Sequence, residues 1–342
     1  MESNNTFKIA SIYIGTVIGA GFASGQEIMQ FFTRYGIHGL YGILVASLLF
    51  SLVGSFILWK VYRYQIQSYD QLIQPVLGHT VGKMIEGLLS LLLLSGYCIM
   101  LAGSGALFQQ QFGLPKLSGI LVMSFVTFII FLFSIRGLAW INMVVVPILF
   151  IGIMSMGIWV IFSCGFTLSN EVGSTFNVYT GNWITSALLY VSYNSIGATV
   201  VMCSLLPLIS SPNAALRGGV LGGMGLGLLA MFLLLPTLIL YTDINGVEIP
   251  MMAIASKLGS SMQIGYGILL WFAMLTTAIA DGFVLIQTIE KHLLGRHIWH
   301  CLFFCIAAIP LANIGFKTLV NALYPMFGYM GIGVALLFVF KR

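Results

Sequence analysis

The chain has 342 residues, of which 59% are hydrophobic and only 7% charged, with a mean hydropathy of +1.03. Soluble domains carry about 25% charged residues, so this composition excludes a soluble globular protein and fits an integral membrane protein. The net charge of +5 comes from basic residues scattered between apolar runs, which excludes a nucleic-acid surface and reads as a topology signal.

The N-terminal segment Met1 to Lys8 is short and polar and lacks a small-residue cleavage site, so it does not read as a removable signal peptide. A span needs about 20 apolar residues. On that measure the spans run over about 7–32, 40–61, 81–108, 117–135 and 138–162, then 183–208, 214–241, 264–289, 298–314 and 319–340. Between the two sets lies a polar connection, 163–182, which holds Asn170, Glu171 and Asn177 and no Lys or Arg. The expected fold class is therefore an all-α integral membrane protein of ten transmembrane helices.

Counting basic residues tests the orientation. With the N-terminus inside, the inner face carries Lys8, Lys60, Arg63, Lys83, Arg136, Arg217, Lys291, Arg296, Lys341 and Arg342, and the outer face only Arg34, Lys116, Lys257 and Lys317. That asymmetry satisfies the positive-inside rule with both termini cytoplasmic. It predicts a multi-pass protein of the cell (plasma) membrane whose surroundings are the lipid bilayer.

The polar connection divides the chain into 1–166 and 167–342, five spans each. Five is odd, so the second half enters from the opposite side, as an inverted 5+5 repeat requires. The first span holds Gly15, Gly19, Gly21 and Gly25 within eleven residues and ends in Gln26 and Glu27. Each glycine costs a helix about 1 kcal/mol relative to alanine, and irregular backbone at membrane depth survives only where it lines a cavity or is buried in protein. The first helix is predicted to break there. A repeat predicts a second break in helix 6, where Tyr190 to Thr199 is a run of small and polar residues. Paired interruptions of this kind point to a transporter binding site.

The outer half-helix of the first span starts near Ala20, so the free N–H groups of Ala20, Gly21 and Phe22 suit a carboxylate or other anionic group. Tyr193 and Asn194 in the second half, and Tyr97 in the third span, are candidate side-chain contacts by position. Glu27 and Asp281 lie within spans, where ionisable groups are functional candidates. Glu27 either lines the outer vestibule and favours a cationic solute or pairs with Arg34, seven residues on; the pair is the preferred reading. Asp281 lies one helical turn beyond Thr277 and serves either as an ion-guiding or proton site, or as an interhelical pair or cap. Gly219, Gly223 and Gly227, with Gly218 and Gly222 beside them, read as a helix-packing stripe. Pro147, Pro236 and Pro325 mark expected kinks.

The run Gly15-Thr16-Val17-Ile18-Gly19-Ala20-Gly21-Phe22 resembles the first-helix break of the amino acid–polyamine–organocation superfamily, the transporters of the LeuT fold. Extended to Gly15 through Glu27, its wording resembles the uncharacterised YkvI-like bacterial membrane proteins. The resemblance implies a secondary transporter with helices 1 and 6 broken at mid-membrane, and names no solute. The spacing Ala273-x-x-Thr276-Thr277 in the eighth span is similar to that of sodium-coupled members. There one carbonyl and two hydroxyls supply hard oxygen ligands, completed by the carbonyls of Gly15 and Ile18. The bland alternative has Thr276 and Thr277 bonding to their own helix. Some proton-coupled relatives place a lysine in the fifth helix where sodium would otherwise sit; here that span carries no charge, which favours sodium without excluding a carboxylate as the proton carrier.

Other classes fare worse. All five histidines lie at span ends or in connections, so no buried Ser–His pair or His-Glu-x-x-His signature supports an enzyme, and nothing resembles a channel filter. The cysteines Cys98, Cys164, Cys203, Cys301 and Cys305 read as small apolar helix residues, and no cofactor is implied beyond Na+ as coupling ion. The sequence thus predicts a sodium-coupled symporter of a small amino-acid-like or amine solute, with proton coupling, or a ligand sensor on the same scaffold, as alternatives. Neither the solute nor the oligomeric state is readable.

Overall fold

The structure, a computed structural model, describes residues 2–66, 69–132, 138–165, 176–203, 205–292 and 296–340, without side chains for 2–4, 69–86, 138–146, 291–292 and 334–340. Half of the polar connection, 166–175 with Asn170 and Glu171, lies outside these, as do Arg136, Lys341 and Arg342 and the side chains of Lys83 and Lys291.

Helices account for nearly everything described. In order they are α1 (Glu2–Val17), α2 (Ala20–Ala23), α3 (Gln26–Phe31), α4 (Ile37–Tyr64), α5 (Tyr69–Phe112), α6 (Lys116–Leu132), α7 (Leu138–Cys164) and α8 (Trp183–Cys203). The rest are α9 (Pro212–Ile239), α10 (Tyr241–Ile244), α11 (Pro250–Lys257), α12 (Ser260–His292), α13 (His297–Ala312) and α14 (Phe316–Phe340). Among the described residues, six helices are long and apolar enough to cross a bilayer: α4, α5, α7, α8, α9 and α12. The first span is cut by its break, α6 has 17 residues and α13 16, and α13 meets α14 at 100°.

The most extensive helix pair is formed by close approach of α4 and α9. Serines of α4 at four-residue spacing fit the glycine stripe of α9: a methyl at Gly219, Gly223 or Gly227 would overlap Ser55, Ser51 or Ser47 respectively. The hydroxyls donate across the gap, Ser55 Oγ to the Leu216 carbonyl at 3.0 Å, Ser51 Oγ to Val220 at 3.3 Å and Ser47 Oγ to Gly223 at 3.2 Å. Association inside a bilayer gains nothing from the hydrophobic effect, so small residues and interhelical hydrogen bonds supply it. The packing reading of the stripe is what the geometry shows. On its other edge, Gly222 of α9 and Gly54 of α4 make a slot for the Tyr13 ring of α1, whose hydroxyl donates to the Phe50 carbonyl at 3.0 Å. Beyond this pair α1 packs on α9, α8 on α4, α12 on α5 and α7, α14 on α5 and α8, and α6 on α13.

Helix 6 departs from expectation. The predicted mid-span break at Tyr190–Thr199 is absent, and α8 runs unbroken from Trp183 to Cys203. Its polar side chains bond back to their own helix, Asn194 Nδ2 to the Tyr190 carbonyl at 3.0 Å and Thr199 Oγ1 to Ser195 at 2.6 Å. Small polar residues satisfied in this way leave the backbone ladder intact. The helix is described to Cys203, and a 3-10 turn at Leu206–Leu208 with Pro207 in it follows.

Candidate functional site

The first helix does break. α1 stops at Val17 and α2 starts at Ala20, with Gly19 extended at φ −94° and ψ −177°. The Gly19 amide turns to the Val17 carbonyl instead of Gly15, and the ladder resumes only where the Ala23 amide meets Gly19. Among the described residues, no backbone hydrogen bond uses the carbonyls of Gly15, Thr16 and Ile18 or the amides of Ala20, Gly21 and Phe22. Unmet backbone groups at this depth are costly, and here they come as one set of acceptors and one of donors, on opposite sides of the Ile18–Gly19 link.

A second turn follows at once. Gly25 is left-handed at φ 79°, a conformation that suits glycine. Ser24 closes the turn: its hydroxyl donates to the Gly21 carbonyl at 2.7 Å and accepts from the Gln26 amide at 3.2 Å. Two outside contacts hold the turn, the Met251 amide of α11 on the Ser24 carbonyl at 3.1 Å and the Tyr266 hydroxyl of α12 on the Ala23 carbonyl at 2.6 Å. The outer half-helix is thus two short pieces, α2 and α3. α2 has only four residues, too few aligned peptides for the helix dipole that the anion-binding expectation at Ala20, Gly21 and Phe22 assumed.

The turn at Gly25 re-aims Glu27. Its carboxyl does not turn to Arg34; it points back into the break, where a methyl on Gly21 would overlap Glu27 Oε1 and lie 3.1 Å from the Tyr324 hydroxyl. The Tyr193 hydroxyl donates to Glu27 Oε2. The expected pair fails because it rested on one continuous helix face from residue 27 to 34, and the helix ends at Phe31, with Arg34 in a 3-10 turn. Glu27 is 5% exposed. Tyr193 stacks on Tyr324 at 4.8 Å and 19° and on Phe31 at 5.7 Å and 20°. Tyr190 packs edge-on to Tyr193 at 5.8 Å, and its buried hydroxyl has no hydrogen-bond partner among the described residues. Gln30 Nε2 donates to the Asn321 carbonyl at 3.2 Å, while Gln30 Oε1 and Asn321 Oδ1 are likewise unmatched.

The remaining predicted residues divide. Tyr193 is brought to the break, and Asn194 is half-buried one position on, its amide used within α8. Tyr97 is not brought there: its hydroxyl bonds Thr127 at 2.9 Å and Cys305 at 3.4 Å, in a cluster of α5, α6 and α13 with Phe131 and Phe304. Thr276 and Thr277 of α12 both donate to the Ala273 carbonyl at 3.0 Å. A hydroxyl so engaged keeps its lone pairs for another partner. Asp281 lies against Gly96 of α5, where a methyl would overlap its Oδ2. Tyr324, Gln30 and Asn321 escaped the sequence reading, and Tyr190 entered it only as the start of the expected second break. Their available signal was Asn321 and Tyr324, three apart beside Pro325, in an otherwise apolar span.

No established family model matches the chain. The membrane protein YkvI of Bacillus subtilis (strain 168) is 30% identical over 327 residues, covering 95% of this chain and 92% of YkvI. The chain belongs to the YkvI family. A second relative in the same organism, YyaD, is 26% identical over 94% of this chain and 92% of its own length. The chain has the LeuT-type fold: the inward-facing conformation of Mhp1 superposes with a TM-score of 0.63 at 11% identity, over 97% of this chain and 74% of Mhp1. The manganese transporter of Eremococcus coleocola, solved with an aromatic bis-isothiourea compound, superposes at 0.54 with 13% identity, over 97% of this chain and 77% of its own. At those identities the likeness shows the fold alone.

Proposed function

We propose that this YkvI-family protein is a secondary active transporter of the plasma membrane that moves a small amino-acid-like or amine solute by alternating access, in symport with sodium. The observation that carries this reading is the Ile18–Gly19 break, which frees carbonyls on one side and amides on the other in the helix that opens a LeuT fold. The cation would rest on the Gly15 and Ile18 carbonyls, the Ala273 carbonyl and the hydroxyls of Thr276 and Thr277. The solute would lie outward of it, among Ala20, Gly21, Phe22, Tyr193 and Asn194, with Glu27 at the same place. An arrangement of ten spans as an inverted 5+5 repeat is supported by contacts that exchange between halves: α1 on α9 mirrors α8 on α4, and α7 on α12 mirrors α14 on α5; the excess of Lys and Arg on one face supports cytoplasmic termini.

Proton coupling is the second reading. It is favoured by two membrane carboxyls, Glu27 and Asp281, neither of which takes part in an ion pair among the described residues. Such groups are costly unless neutral or matched by a cation. Purified protein in liposomes, offered labelled amino acids and amines under a sodium or a proton gradient, tests both. Uptake driven by sodium supports the first reading, uptake driven only by protons the second, and binding without flux turns the protein into a sensor.

A further inference from the structure

The surroundings of Glu27 have a chemical signature that the transporter reading leaves unused. Three elements bring it together: α3 supplies the carboxyl, α8 supplies Tyr193 and Tyr190, and α14 supplies Tyr324. Gly21 makes room, since any side chain there would occupy the place of the carboxyl. The titratable groups facing Glu27 are all phenols, with Asp281 the next charge beyond Tyr324 and Arg34 outward in its 3-10 turn. Among the described ion pairs none includes Glu27. A buried carboxylate without a cationic partner is strongly disfavoured, so whenever Glu27 is ionised this place calls for a positive charge. The rings of Phe31, Tyr193 and Tyr324, stacked on one another beside the carboxyl, add aromatic surface that can cover hydrocarbon. The unmatched Tyr190 hydroxyl adds one more polar group to the same cluster.

We infer that the solute is a small organic amine, held as its ammonium by the Glu27 carboxylate with Tyr193 and Tyr324 against its hydrocarbon part, and that a carboxylate on the solute is rejected. This rests on the proposed function only in taking the first-helix break as the solute site. An amino acid would bring its own carboxylate beside Glu27, and the four-residue α2 is too short to offset that repulsion. A decarboxylated amine meets the opposite charge and nothing of its own sign.

Matched pairs that differ only by the α-carboxylate provide the test. The protein in detergent is titrated by thermal shift and calorimetry with isoamylamine and leucine, tyramine and tyrosine, and putrescine and ornithine. At least one amine should bind about tenfold or more tightly than its amino acid, the worth of one charge-assisted hydrogen bond. Glu27→Gln should abolish the preference. Should that variant fail to fold, Glu27→Asp, which keeps the charge and withdraws it, should weaken the amine and leave the amino acid unchanged. The inference is overturned if amino acids bind as well as their amines, if no amine binds, or if amine binding survives Glu27→Gln intact. Flux separates the two levels: amines bound but never moved into liposomes would sink the transporter reading and keep this one. Amino acids carried equally well by wild type and Glu27→Gln would do the reverse.

Discussion

Gly19 and Gly21 lie two residues apart in the same break and do different jobs. A methyl added at Gly19 meets nothing within 4 Å, and its φ of −94° is open to any residue. A methyl at Gly21 runs into Glu27 Oε1 and the Tyr324 hydroxyl. Gly19→Ala should therefore leave solute uptake and melting temperature close to wild type. Gly21→Ala should fold but lose most uptake, because the carboxyl can no longer turn into the break. Equal behaviour of the two variants in liposome uptake would show that the break tolerates a displaced Glu27. The glycine rhythm was legible in the sequence, and the break falls where it pointed. The aim of Glu27 was not. Residue spacing gives side-chain direction only along a continuous helix, and Gly25 with φ 79° ends that continuity two residues earlier.

At the scale of elements, two local rules met different fates. Small residues every fourth position on α9 predicted close packing, and Ser47, Ser51 and Ser55 of α4 are what they pack against. Gly223→Ala should lower detergent stability by about 1–3 kcal/mol through overpacking against the Ser51 backbone, whereas Ser51→Ala, which only removes a hydrogen bond, should cost about 1 kcal/mol or less. Thermal melts of the two variants check the order. Small and polar residues in the sixth span predicted a break that is not there, because Asn194 and Thr199 find acceptors on their own helix. Composition alone does not distinguish a helix that unwinds from one whose hydroxyls fold back.

His297, the first residue of α13 and just outside its apolar span, ties three helices together. Nε2 lies 2.8 Å from the Phe131 carbonyl of α6, and Nδ1 lies 2.5 Å from Glu290 Oε1 of α12. The Phe131 carbonyl first, and Glu290 second, raise the imidazole above its usual value of 6.5. A raised folded-state value means that the charged form stabilises the fold, fully below the unfolded value and lost as pH rises through the folded one. The His297→Ala variant should thus melt below wild type in mildly acidic buffer, with the gap closing as the buffer becomes alkaline. The side chain is 45% exposed, so the effect is a small one. A gap that widens with pH would overturn the assignment.

Across the whole molecule, the sequence carried the architecture further than the site. The LeuT fold was implied by the resemblance that the first-helix glycine pattern carries, and the superposition on Mhp1 bears that fold out. Single-bilayer lengths were less legible, since a helix can be shortened by a break, as α1 is, without any change in the apolar content of the run. Any coupling of a solute to an ion would depend on distances between elements far apart in sequence, which no local pattern encodes. The two coupling readings nevertheless place their chemistry on different residues of α12, and so they separate cleanly. Thr276→Ala with Thr277→Ala removes two hard oxygens but no charge. Asp281→Asn removes a charge but neither hydroxyl. If sodium couples, the threonine pair should lose sodium-driven uptake and the thermal stabilisation by sodium, while Asp281→Asn keeps a sodium-dependent shift. If protons couple, the threonine variant should respond to a proton gradient as wild type does, and Asp281→Asn or Glu27→Gln should exchange solute without being driven by that gradient. Measuring exchange beside net uptake decides it, because exchange needs the solute site and alternating access but not the coupling group.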